Sequence, residues 1–164
     1  MPAIASGNIA PDFRLPGTDG KFYTLKDALS KNVTLVAFYK NTCPICQLEV
    51  PYVERIYKAY KDKGLIARGI EQDSKEASIE FSKQYGLTFP VLLDPENYKT
   101  SYAYGIDTVP TFFLIDKNGE ILLSSVGFVR DELKELSRLI ALKLGAKAFE
   151  VFKPTENVPA LKAG

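Results

Sequence analysis

Two hydrophobic periods divide the 164-residue chain. Residues 33–39, Val-Thr-Leu-Val-Ala-Phe-Tyr, form a near-continuous apolar, β-branched run of strand length. That pattern predicts a strand buried on both faces. From Pro44 to about Lys61 the period becomes helical: Ile45, Leu48, Tyr52, Val53, Ile56 and Tyr60 share one stripe, and Gly64 closes the segment. Upstream, residues 13–15 and 22–25 flank Gly17-Thr18-Asp19-Gly20, a hairpin signal, and residues 26–29 predict one helical turn. Downstream, residues 65–70 and 91–93 read as short strands, separated by a helix that Ser74 caps and Gly86 ends. Asp94-Pro95 turns the chain into a short helix over 97–104, stopped by Gly105. Residues 111–115 and 120–124 predict a β-hairpin around Asn118-Gly119. Asp131 is expected to cap a last helix carrying Leu133, Leu136, Ile140 and Leu144, ended by Gly145.

This order implies an α/β sandwich with a mixed central sheet, an N-terminal hairpin and an αβ insertion. The domain spans 1–145. Residues 1–12 read as an irregular arm. Residues 146–164, with Pro154 and Pro159, read as a partly ordered C-terminal extension, with a dimer contact as one use. Pro51 interrupts the hydrogen bonding of its helix and is read as structural.

Composition narrows the function. Hydrophobic residues are 46% and charged residues 25%, which excludes a disordered chain. A net charge of +1 gives no basis for a nucleic-acid partner or an anionic membrane surface. No apolar run is long enough to span a membrane. The first ten residues lack the basic and apolar regions of a signal peptide, so the expected location is the cytoplasm. A chain whose export signal had been removed would read the same, which keeps an extracytoplasmic location as the alternative. With no histidine, Ser-His-Asp and Cys-His nucleophile schemes are excluded.

The two cysteines are Cys43 and Cys46. Their Cys-Pro-Ile-Cys motif sits where the buried strand hands over to a helix, the setting of a thioredoxin-like redox pair. The unpaired N–H groups of the first helical turn favour a thiolate at the outer Cys43. Pro44 suits the first helical position. Cys43 would attack a substrate disulfide, and the more buried Cys46 would then resolve the mixed disulfide. No metal site is expected, since zinc would need ligands beyond two thiolates. Glu49 falls on the apolar stripe one turn beyond Cys46. It is either a half-buried proton acceptor for Cys46 or a stripe-edge acid reaching water or a lysine. Val109-Pro110 opens a predicted central strand, where proline belongs only at the first position or as a cis residue.

Several stretches together resemble the thioredoxin-fold superfamily, and within it the thiol-disulfide oxidoreductases of the TlpA and ResA type in the redoxin and AhpC/TSA grouping. They are Ala10-Pro11-Asp12-Phe13-Arg14-Leu15-Pro16, Cys43-Pro44-Ile45-Cys46 with Glu49 and Pro51, Phe89-Pro90-Val91-Leu92-Leu93-Asp94, and Val109-Pro110-Thr111-Phe112-Phe113. The resemblance covers about residues 8–144. It implies a three-layer sandwich, nucleophilic Cys43, resolving Cys46 and an acid at Glu49. It also implies a cis-Pro110 loop whose backbone meets a substrate strand, with Thr42, Pro44 and Val109 beside it. No cofactor is implied beyond the redox-active Cys43–Cys46 pair. The implied partners are a disulfide-containing protein and a thiol or dithiol electron donor, with the chain a monomer or weak dimer. Two departures stand out: Thr42 replaces the usual tryptophan, and Pro44-Ile45 is the inner pair that tunes potential in related enzymes.

A peroxiredoxin-like peroxidase using the same pair is the alternative reading. Its Pro-x-x-x-Thr-x-x-Cys signature fits neither cysteine. Placed on Cys46 it would need Thr at Cys43 and Pro at Tyr39; placed on Cys43, Thr at Lys40 and Pro at Val36. A Cu(I) carrier or redox-sensing module is a third reading; the absence of histidine and of any methionine beyond Met1 argues against copper.

Overall fold

The computed structural model describes residues 2–95 and 97–164. Strands β1 (Arg14–Pro16) and β2 (Phe22–Thr24) form the expected antiparallel hairpin. Helix α1 (Leu25–Lys31) follows, with the Thr24 hydroxyl accepting the Asp27 N–H; it is longer than the single turn predicted. Next come β3 (Thr34–Tyr39), α2 (Pro44–Tyr60) with a 3₁₀ turn at Lys61–Lys63, β4 (Ile66–Glu71), α3 (Lys75–Tyr85) and β5 (Val91–Leu93). Helix α4 (Lys99–Ala103), strands β6 (Thr111–Ile115), β7 (Ile121–Val126) and β8 (Phe128–Val129), helix α5 (Arg130–Leu144) and strand β9 (Leu161–Lys162) complete the chain.

Five strands make the central sheet in the order β5-β4-β3-β6-β7. β3 is parallel to β4 and antiparallel to β6, so the sheet is mixed. Every residue of β3 is buried, as its apolar run requires. Alternate residues face opposite layers. Leu35, Ala37, Tyr39, Phe112 and Leu114 pack with α2, α3 and α5. Val36, Phe38, Phe113 and Ile115 pack with Leu25 of α1, Tyr104 and the N-terminal segment. Both sheet edges are met by that segment: Gly17 bridges Leu92 of β5, while Ile9 bridges Glu120 and the Asn8 carbonyl accepts the Ile121 N–H at the start of β7.

Three expectations need correction. The short helix begins at Lys99, not Asn97, because the buried Asp94 carboxylate accepts the Thr100 and Ser101 N–H groups and sets the first turn there. Asp131 does not cap α5. The N-cap is Val129, and the Arg130 N–H is satisfied by the Ala160 carbonyl at 3.0 Å.

Finally, the segment after Gly145 is packed rather than loose. The Phe149 N–H donates to the Tyr60 hydroxyl at 2.7 Å, and the Ser137 hydroxyl donates to the Phe149 carbonyl at 2.8 Å. Val151 is buried, and Phe152 meets Tyr52 edge-on at 4.9 Å. Arg55 grips the segment through the Val151 carbonyl and a bidentate pair with Glu156. The last residues pair as β9 against β8.

Candidate active site

The site is built where β3 ends and α2 begins. Cys43 is the N-cap of α2, and its sulfur accepts the Cys46 N–H at 3.2 Å. A thiol at this position takes the place of the usual Ser or Asp oxygen, so an unpaired donor of the first turn points at sulfur. Pro44 occupies the first helical position. Lys40, Asn41 and Thr42 form the connecting turn. Within it the Cys43 N–H donates to the Lys40 carbonyl, and the Gln47 side chain holds the Asn41 carbonyl at 2.8 Å. Both thiols are free; Cys43 is half-buried and Cys46 fully buried. Thr42 and Pro44 are exposed and form the rim.

Sequence-distant residues complete the front of the site. The Val109–Pro110 bond is cis. Cys43 Sγ lies 3.7 Å from the Val109 carbonyl oxygen. Pro110 itself is buried, and its carbonyl accepts the Gly127 N–H at 2.8 Å. Cys43, Cys46, Val109 and Pro110 are thus gathered in one place, with Thr42 and Pro44 beside them.

Behind Cys46 lies Glu49, only 1% exposed, with its Oε1 left without a partner. It therefore points inward, as the stripe predicts, and among the described residues no lysine forms an ion pair with it. Burial holds its pKa well above the usual carboxylate range, and the nearby Glu132 charge on α5 adds to this. Glu132 in turn accepts the hydroxyl of buried Ser125 on β7. Burial also pushes the Cys46 thiol far up, with the Cys43 side chain and Glu49 acting in the same direction. Cys46 is consequently a protonated thiol at neutral pH, and a nearby group that takes its proton has catalytic value.

A second acidic group flanks the same turn. Glu71, at the end of β4 opposite Tyr39, is fully buried, and neither carboxylate oxygen has a partner. Burial and the neighbouring Asp73 raise its pKa to about 8. The Tyr39 hydroxyl is also buried and unpartnered, its pKa raised by burial and by Glu71. Asp73 accepts the Asn41 N–H at 3.1 Å, tying this cluster to the cysteine turn. Gly69 makes room for it, since a methyl group there would sit 2.6 Å from the Tyr39 hydroxyl. Sequence reading missed Glu71, Asp73 and Glu132. An acid directly after Ile70 at the end of a strand was the available signal for Glu71; Glu132 looked like an ordinary first-turn acid.

Among the described residues no three His, Cys, Asp or Glu side chains converge on a metal position, and no helix is long and apolar enough to cross a membrane. Residues 6–124 match the AhpC/TSA family.

The chain belongs to the AhpC/TSA family.

Within this family it is similar to the thiol-disulfide oxidoreductase ResA of Geobacillus thermodenitrificans, 33% identical over 135 residues that cover 81% of this chain and 76% of the relative. ResA of Geobacillus kaustophilus is 38% identical over 120 residues, covering 73% and 68%. A solved structure from Chlorobium tepidum, described as a thiol:disulfide interchange protein DsbE, superposes with a TM-score of 0.77 at 33% identity, over 87% of this chain and all of that one. Peroxidoxin BcpB of Mycobacterium tuberculosis shares the fold at 20% identity, with a TM-score of 0.71, over 87% of this chain and 97% of its own. The thioredoxin-like frame of the AhpC/TSA family is therefore common to this chain and these proteins, and the named oxidoreductases stand nearer to it in sequence than the peroxidoxin.

Proposed function

We propose that this AhpC/TSA protein is a thiol-disulfide oxidoreductase acting on protein disulfides through the Cys43–Cys46 pair. One observation carries the reading: Cys43 is the exposed-side N-cap of α2, its sulfur receives the Cys46 N–H, and it faces the Val109–cis-Pro110 loop. The Cys43 thiolate attacks one sulfur of the substrate disulfide. A mixed disulfide forms, and the other substrate sulfur leaves as a thiolate that takes a proton. Cys46 then gives its proton to Glu49, the nearest buried carboxylate on its own helix, and its sulfur attacks Cys43 Sγ. The bond to substrate breaks, the second substrate sulfur leaves as a thiolate that takes up a proton, and the pair is left as a disulfide carrying the two electrons' worth of oxidation. A thiol or dithiol donor restores it. Thr42, Pro44, Val109 and Pro110 form the surface that meets the substrate, with the Val109 backbone offering strand-like hydrogen bonds. The redox group is the cysteine pair itself.

The reduced protein, assayed in parallel with a protein disulfide and with hydrogen peroxide, tests this reading. Rapid disulfide reduction with slow peroxide consumption is expected, and Cys46→Ala should accumulate a mixed disulfide on Cys43. Rapid peroxide consumption with negligible disulfide reduction would overturn it in favour of a peroxidase.

A further inference from the structure

We infer that residues 161–164 form a strap over the substrate-strand edge of the Val109–Pro110 loop, which an extended protein substrate must displace and a small disulfide need not. This rests on the oxidoreductase reading above. It specifies which disulfides the site admits.

The path of the chain carries the argument. β9 pairs with β8 through Val129↔Leu161 and Phe128↔Lys162, then runs past Gly127 toward the loop. Gly127 has φ +75, and a methyl group there would sit 2.9 Å from the Lys162 carbonyl oxygen and 3.3 Å from the Gly164 nitrogen. A methyl group on Gly164 would lie 2.2 Å from the Val109 carbonyl oxygen and 2.8 Å from Thr108 Cγ2. Only glycines allow this approach at both ends. The covered carbonyl is the one that Cys43 Sγ faces at 3.7 Å. Among the described residues, neither the N–H nor the carbonyl of Val109 enters a backbone hydrogen bond. The strap therefore blocks an open pairing edge without using it.

Its hold is slight. The ladder is two residues long, every residue from Ala160 to Gly164 is exposed, and Leu161 is 64% exposed. Segments with so few buried contacts open locally at low cost. The residues just before it are held firmly, through Arg55, Val151 and the Ala160 carbonyl on the Arg130 N–H. The strap thus has a fixed root and a weakly held stretch beyond it. A substrate strand competes with the closed strap, so its apparent affinity is reduced to the fraction of its full value for which the strap is open. A small disulfide reaches half-buried Cys43 from the exposed Thr42–Pro44 rim and meets no such competition.

Two variants test this on the full chain. Gly164→Val cannot seat beside Val109, and Lys162→Pro breaks the β9 ladder. Both should lower the KM for reduction of insulin by roughly threefold to tenfold, the range expected of a strap mostly closed. Both should leave reduction of 5,5′-dithiobis(2-nitrobenzoate) unchanged. Independently of turnover, hydrogen exchange across the β8–β9 ladder and alkylation of Cys43 by a bulky maleimide should speed up. Unchanged insulin kinetics, or weaker insulin binding, would overturn the strap. Failure of the parent protein to reduce either disulfide would overturn the oxidoreductase reading instead, and the exchange and alkylation rates would still judge whether residues 161–164 cover the loop.

Discussion

Glu49 of α2 and Glu132 of α5 lie close enough that the charge of the second adds to burial in raising the pKa of the first. The pair is asymmetric. Glu49 has a buried, unpartnered oxygen, whereas Glu132 is half-buried and holds the Ser125 hydroxyl. Only one of the two is positioned to trade a proton with Cys46. Glu49→Gln should slow release of the mixed disulfide at neutral pH by roughly a hundredfold, the lower end of what a general base contributes. Glu132→Gln should preserve the plateau rate and move its midpoint to lower pH, because removal of a negative neighbour lowers the pKa of Glu49. Stopped-flow release measured from pH 5 to 9 checks both; identical profiles in all three proteins would remove the pair from the mechanism.

Glu71 makes stability pH-dependent. Its pKa is about 8 in the fold against 4.5 for an unperturbed carboxyl. Between those values the folded state keeps a proton that the unfolded chain has lost, so stability falls as pH rises through the window. Above pH 8 the fold carries a buried carboxylate, at a cost on the order of a few kcal/mol. Glu71→Gln should flatten that decline and be the more stable protein at pH 9, while the two should differ little near pH 4. Urea midpoints at pH 4, 7 and 9 decide it, and parallel pH trends would contradict the assignment.

Glu54 pins α2 to the loop before β5. Its two oxygens accept the Thr88 N–H at 2.6 Å and the Thr88 hydroxyl at 2.7 Å, and the carboxylate is buried. Glu54→Ala abandons both donors and should cost about 1–3 kcal/mol. Chemical denaturation measures the loss.

Tyr60 joins three segments through one oxygen. It receives the Phe149 N–H and bonds Ser137 at 2.8 Å, deep in the core. Tyr60→Phe should destabilise the protein by about 1–2 kcal/mol. It should also speed proteolysis after Gly145 well beyond that of the rest of the chain, since the α2–α5–extension junction loses its shared bond. Limited proteolysis followed by mass spectrometry checks the second effect.

The parts of this architecture that were legible in the sequence are those where burial imposes a period. β3 is almost wholly apolar because both its faces are covered, and α2 shows a stripe because one face is. The stripe also exposed Glu49 as an inward acid, and the spacing of Cys43 and Cys46 exposed the pair. What escaped notice depends on contacts between distant segments. The start of α5 could not be read from Asp131 because the Ala160 carbonyl, thirty residues on, satisfies the Arg130 N–H. The docking of residues 146–164 has no period; it hangs on Phe149, Val151, Phe152 and Glu156 meeting α2 and α5. Glu71 and Asp73 became part of the site only through the register that sets Glu71 opposite Tyr39 and the reach of Asp73 to Asn41.

The bridges that the N-terminal segment makes to β5 and to the start of β7 give those first twenty residues a duty unrelated to redox chemistry. An uncovered sheet edge invites strands from other molecules. Gly17 against Leu92, with Ile9 and Asn8 against Glu120 and Ile121, occupies backbone groups that would otherwise recruit a neighbour. At those two positions the segment closes backbone groups that would otherwise compete with the Val109 loop for an extended chain.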